Sequence, residues 1–82
     1  MIIKNPLSTE KSIRLMESQN MLIFEVDKKA TKDMIKEEIQ SFFKVKVAAV
    51  RTRIGSDARK RAYVRFAADT PAIDVATKLG LI

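Results

Sequence analysis

The sequence predicts an α+β domain of order β-α-β-α-β-β-α, in which a four-stranded, mainly antiparallel sheet is packed with helices. Three patterns lead there. Residues 47–54 and 60–66 are alternating segments joined around Gly55-Ser56-Asp57, which reads as a hairpin. Ile35, Ile39, Phe42 and Phe43 fall at i, i+4, i+7 and i+8, the spacing of one helix face. Met21 to Val26 is a run of strand length with apolar residues on both faces, which suits the interior of a sheet. A four-stranded, mainly antiparallel sheet with helices packed on it satisfies this element order. A chain of 82 residues buries a little over ~60% of its unfolded surface, so residues 1–82 are expected to form a single domain with one modest core.

Along the chain, Ile2 and Ile3 begin a short strand that ends at Asn5-Pro6, because proline lacks the ladder donor and restricts its predecessor. Ser8 or Thr9 caps the first helix, Glu10 favours its positive end, and Ile13 with Met16 offers an apolar stripe. Ser18-Gln19-Asn20 ends it. After the strand at 21–26, Thr31 is the N-cap of the second helix with Asp33 in its first turn. In the hairpin, Val50, Thr52 and Ile54 share a face with Ala62, Val64 and Phe66, while Arg51 and Arg53 share the other with Arg61, Tyr63 and Arg65. Val45 and Val47 are out of phase with Val50, so a bulge or loop precedes the regular pairing. Thr70-Pro71 opens the third helix, Gly80 closes it, and Ile73, Ala76 and Leu79 or Leu81 face the sheet.

Composition removes most catalytic chemistry. With no Cys and no His there is no disulfide, thiolate nucleophile, imidazole base or ordinary zinc site. Glu37 and Glu38 are adjacent on a helix, and Glu25 and Asp27 have basic neighbours, so neither pair predicts carboxylates converging in a cleft. The two glycines, Gly55 and Gly80, sit in a turn and at a helix end rather than in a phosphate loop. A non-enzyme with no cofactor is expected. No segment approaches the ~20 apolar residues of a membrane span, and MIIKNPLSTEK has no long apolar run, so an intracellular chain without membrane insertion is expected.

The net charge of +6 is concentrated. Residues 1–43 are neutral and residues 67–82 carry −1, whereas Lys44, Lys46, Arg51, Arg53, Arg59, Lys60, Arg61 and Arg65 stand against Asp57 alone, for +7 in residues 44–66. A block of this kind makes a local positive potential suited to a polyanion. Arginine offers forked hydrogen bonds to phosphate, and Tyr63 has a face on which a base can stack. Tyr63 reads equally well as a lone surface aromatic covering its arginine neighbours. The face lacks the aromatic pair of a sheet that stacks successive bases, so shape and backbone recognition of folded RNA is favoured, with roughly four to eight phosphate contacts.

These residues carry a resemblance. The opening IIKNPLSTEKS, the central ATKDMIKEEIQSFFKVKVAAVRT, the basic KRAYVRF and the closing DVATKLGLI resemble the large-subunit ribosomal protein family L-twenty-three over the whole chain. The matching motifs are Pro-x-x-Thr-Glu-Lys at Pro6 to Lys11, Ala-Thr-Lys at Ala30 to Lys32, Phe-x-Val-x-Val at Phe43 to Val47 and Lys-x-Ala-Tyr-Val at Lys60 to Val64. The resemblance implies a structural constituent of the large ribosomal subunit, on cytoplasmic ribosomes, that binds large-subunit rRNA at the rim of the polypeptide exit tunnel. It also implies a neighbouring ribosomal protein, L-twenty-nine, and a docking site for signal recognition particle and nascent-chain factors, with Glu10 at the position the family uses for docking in bacteria.

The compact length and the Lys-Leu-Gly-Leu end resemble archaeal members. The bacterial hairpin extension is missing, since Gly55 to Arg59 alone separates the strands. Arg51 stands where the family commonly has asparagine and Phe66 where leucine is usual. Lys44, Lys46, Arg51, Arg53, Arg59, Lys60, Arg61, Tyr63 and Arg65 are therefore the expected RNA face, with Lys11, Lys32 and Lys36 in second rank. The alternative is a free nucleic-acid-binding protein of the chromatin or RNA-chaperone type, which would share the basic hairpin but not the N-terminal motif. A small acyl-phosphate hydrolase would need a phosphate-cradling loop that the sequence lacks.

Overall fold

Seven elements follow in the expected order: β1 (Ile3–Pro6), α1 (Glu10–Gln19), β2 (Met21–Val26), α2 (Lys32–Phe43), β3 (Val47–Ile54), β4 (Lys60–Phe66) and α3 (Ala72–Lys78). The computed structural model describes residues 3–7 and 9–79, so the expectations placed on Ile2, Ser8, Gly80 and Leu81 lie outside the described residues. The sheet order is β1-β2-β4-β3 and every pairing is antiparallel. β2 and β4 are the interior strands. Pro6 falls on edge strand β1, where its missing N–H costs no interior ladder bond.

The register decides which side chains share a face. Leu22, Phe24 and Val26 of β2 lie beside Val64, Ala62 and Lys60 of β4, and these beside Val50, Thr52 and Ile54 of β3. The apolar members of this face form the core with Ile35 and Ile39 of α2 and Ala72, Val75 and Ala76 of α3. Each large side chain fully buried here, such as Phe24 or Ile39, contributes about 1.5–3 kcal/mol of transfer free energy. The shift of register between Val47 and Ala49 is a bulge, which brings Val47 onto the core although it is out of phase with Val50.

Three apolar residues expected inside are outside. Ile13 is 46% exposed, Phe42 62% and Ile73 51%. In α3 the buried set is Ala72, Val75 and Ala76 with Leu79 partly covered, a stripe rotated from the one through Ile73. In α2 the core face runs through Ile35, Ile39 and Phe43. Phe42 packs edge-on against Phe43, with ring centroids 5.0 Å apart. The physical reason in α3 is the sheet's need for small residues: two alanines let a short helix approach closely, and the bulkier Ile73 is left at the rim.

α1 is capped by Thr9, whose Oγ1 accepts from the Ser12 N–H while Ser12 Oγ accepts from the Thr9 N–H. Asn20 ends the helix in the left-handed region, φ 57°. Its side chain ties three elements together. The amide nitrogen donates to the carbonyls of Phe66, Ala67 and Thr70, and Oδ1 accepts from the Ala72 N–H at 2.6 Å. Thr70 was expected to cap α3. Pro71 is instead at the N-cap without a side-chain cap bond, and the acceptor comes from Asn20, 52 residues away.

Candidate nucleic-acid interface

The face of the sheet opposite the core consists of three cross-strand rows. Met21 of β2, Arg65 of β4 and Ala49 of β3 form one; Ile23, Tyr63 and Arg51 the next; Glu25, Arg61 and Arg53 the third. This is the alternation read from the hairpin, extended across β2. Met21 and Ile23 are 8% and 4% exposed yet stand outside the main core cluster, so this face has an apolar base of its own. α1 straddles the sheet. Met16 packs on the main core, while Lys11, Leu15 and Gln19, at i, i+4 and i+8, line a groove with Met21, Arg51, Arg53 and Tyr63.

The groove joins charge to an aromatic surface. Lys11 Nζ lies 5.7 Å from the centroid of the Tyr63 ring, within range of a cation–π contact. Arg65 Nη2 donates to Gln19 Oε1 at 3.2 Å, which fixes the helix against the strand. Arg51, Arg53 and Arg65 are exposed, whereas Tyr63 and Arg61 are half-buried. Lys11, a second-rank candidate in the sequence, is thus a full member of the face. Leu15 and Gln19 were missed, and the signal for them was the spacing from Lys11. A lysine, leucine and glutamine stripe does not look amphipathic until its partner surface is known.

Two carboxylates temper the charge. Arg59 Nη1 reaches Glu25 Oε1 at 3.6 Å, which draws a turn residue onto this face. Arg61 Nη2 donates to Asp57 Oδ2 at 3.0 Å, and Asp57 Oδ1 accepts from the Arg59 backbone N–H. That backbone bond is the main cause that holds the Asp57 carboxyl below its ordinary value; desolvation opposes it, and the charge and hydrogen bond of Arg61 add to the lowering. Gly55 makes the close approach possible: a Cβ there would lie 2.5 Å from Arg61 Nη1 and 2.9 Å from Asp57 Oδ1. The turn closes with Gly55 N–H to Arg59 O, Ala58 N–H to Gly55 O, and Ala58 in the left-handed region at φ 61°.

The remaining lysines are not gathered here. Lys60 lies on the core-face register, and its ammonium donates to the carbonyls of Ala30 at 2.7 Å and Lys28 at 3.4 Å, closing the β2–α2 connection onto β4. Lys44 is the exposed left-handed C-cap of α2, and Lys46 precedes β3. Lys32 and Lys36 are exposed on α2, the helix that covers the opposite side of the sheet. Glu10 is exposed at the start of α1, where Oε1 accepts from Arg14 Nη2 at 2.8 Å.

Residues 1–75 match the family model described as Ribosomal protein L23. The chain belongs to this family. The large ribosomal subunit protein uL23B of Caenorhabditis elegans is 44% identical over 81 residues, covering 99% of this chain and 56% of that protein. The uL23 of Tetrahymena thermophila is 40% identical over 81 residues, covering 99% of this chain and 54% of that protein. The uL23 of the archaeon Methanococcus vannielii is 41% identical over 80 residues, covering 98% of this chain and 93% of its own length. The chain therefore spans about half the length of the first two relatives and nearly all of the third, which is archaeal. Among the described residues no helix is long and apolar enough to cross a membrane.

Proposed function

We propose that residues 1–82 are a single rRNA-binding domain, a structural and non-catalytic constituent of the large ribosomal subunit that binds large-subunit rRNA near the polypeptide exit tunnel. The observation that carries the reading is the three-row face, on which Arg51, Arg53 and Arg65 stand exposed around Tyr63 and Lys11 leans in from α1. Its chemistry fits a folded phosphate backbone: separated guanidinium forks on a rigid sheet, with one aromatic ring rather than a row of them. Arg59 and Arg61 join this face with their charges part-compensated, and Lys44 and Lys46 serve as flanking contacts, whereas Lys32 and Lys36 lie on α2 across the sheet and Lys60 is held by the carbonyls of Ala30 and Lys28, so these three are left out of the contact surface.

The printed names of the relatives, each a large ribosomal subunit protein, support the ribosomal part of the reading. The finer part is that the chain sits beside L-twenty-nine and that α1, through Glu10, helps form the docking site for signal recognition particle and nascent-chain factors. Exposure of Glu10 at the start of α1 is compatible with that role. Co-sedimentation of tagged protein with intact large subunits tests the proposal. The tag is expected to run with the large subunit through washes at moderate salt. Protein that ran free, or that coated bulk DNA instead, would favour the free nucleic-acid-binding alternative.

A further inference from the structure

The groove between α1 and the sheet is more than a continuation of the cationic face. It is an open groove of about 370 Å³, within the ~300–1,000 Å³ of clefts that take a small organic ligand. Its apolar lining is the buried Met21 with the half-buried Leu15 and Tyr63, taken as the floor; the exposed Lys11 on the helix side and Arg51 and Arg53 on the strand side stand around it as a rim, and Gln19 and Thr52 complete the lining. A surface that only tracked phosphates would need the rim and not the floor. An apolar ligand would need the floor and not three cations. A planar, weakly polar ring attached to a phosphate needs both. We infer that this groove is a single-nucleotide pocket, which receives one base extruded from the bound RNA and clamps its phosphates at the rim. The inference rests on the RNA-binding reading of the face.

The details of the site agree with such an occupant. Tyr63 is half-buried, so its ring is held by the sheet and offers a preorganised stacking surface. Lys11 Nζ rests 5.7 Å from the ring centroid, and its flexible stem lets the ammonium leave the ring for a phosphate oxygen as a base takes its place. The bond from Arg65 to Gln19 links the helix wall to the sheet beside the groove. A base that is already unpaired enters at low cost, because no pairing has to be broken to extrude it.

The test compares two synthetic RNA hairpins of equal charge density, one with a single bulged 2-aminopurine and one fully paired with 2-aminopurine in the stem. The wild-type protein is expected to bind the bulged hairpin roughly tenfold or more tightly, as one stacked base would give, and to change the fluorescence of the bulged base on binding. Leu15→Trp, which fills the pocket, and Tyr63→Leu, which removes the stacking ring, are expected to abolish that preference while keeping the salt dependence of binding. Equal affinity of the wild type for both hairpins, with salt dependence intact and no fluorescence change, would overturn the pocket and leave the phosphate-binding face standing. Absence of salt-dependent binding to either hairpin would overturn the RNA reading beneath it. Thermal melts establish that each variant folds, and the wild-type comparison decides the matter if one does not.

Discussion

Counterion release gives the cationic face a quantitative signature. Arg51, Arg53 and Arg65 are exposed and have no carboxylate partner among the described residues, whereas Arg61 is paired with Asp57 at 3.0 Å. Replacing the three unpaired arginines together by alanine removes three phosphate-neutralising charges and lowers the slope of log affinity against log salt by about 2.7 on duplex RNA-like charge density. Between 50 and 200 mM salt, wild-type affinity then falls about 40-fold more than that of the triple variant. Arg61→Ala behaves differently. It uncovers Asp57, so affinity drops, but the slope moves by less than half of what Arg51→Ala alone produces. Removing Asp57 as well restores much of the lost affinity, because the repulsion goes with it. Filter binding or fluorescence anisotropy on a large-subunit rRNA fragment at five or six salt concentrations gives all the slopes. An unchanged slope in the triple variant, or an Arg61 effect equal to that of Arg51, would refute the division into free and compensated arginines.

Three further outcomes follow from other parts of the molecule. Asn20→Ala forfeits the bonds to Phe66, Ala67, Thr70 and Ala72 and leaves alanine at a left-handed φ, for a loss of about 3–4 kcal/mol and a melting point lower by roughly 15–25 °C. Asn20→Gly, free of the backbone strain, is expected to recover about 1 kcal/mol of that; equal melts for the two variants would show that the left-handed turn costs nothing. RNA affinity is expected to be flat from about pH 5.5 to 8, since the chain has no histidine. The depressed Asp57 carboxyl stabilises the hairpin tip above the ordinary carboxylate value, a contribution lost only as acid takes the pH down through its lower folded-state value; a titration step near neutrality in binding would contradict this. Glu10→Ala removes an exposed ion pair with Arg14 worth about 0.3–0.5 kcal/mol, so assembly into ribosomes is expected to be normal and docking of targeting factors weaker. Lost assembly would assign Glu10 a structural task instead.

The fold was legible because the hairpin strands alternate, β2 is apolar on both faces and α2 carries one helical stripe. The bounds of β3 and β4 are those the pattern gave, and the bulge at Val47 followed from two valines out of step with a third. What could not be read was the rotation of each helix about its own axis. Ile13, Phe42 and Ile73 each satisfy a helical spacing, yet the face turned inward depends on how closely the sheet admits the helix, and in α3 two alanines decide it. Asn20 was legible as a helix stop but not as the tie to β4 and α3, because its partners are 46 to 52 residues away. The same limit applied to the site. Alternation placed the four arginines and Tyr63 together, but Lys11, Leu15 and Gln19 join them only through tertiary packing. Charge density also overstated two members: Lys60 is held by the carbonyls of Lys28 and Ala30, and Arg61 is balanced by Asp57.

The central claim is that the sheet face bearing Arg51, Arg53, Tyr63 and Arg65 lies against large-subunit rRNA while the α2 and α3 side does not. A photo-crosslinking residue placed at position 53, and separately at the exposed Ile73 of α3, in protein assembled into large subunits, tests it most directly. The account predicts adducts with large-subunit rRNA from position 53 and none from position 73. Adducts from position 73 alone, or rRNA contact at neither position in subunits that have incorporated the protein, would contradict it.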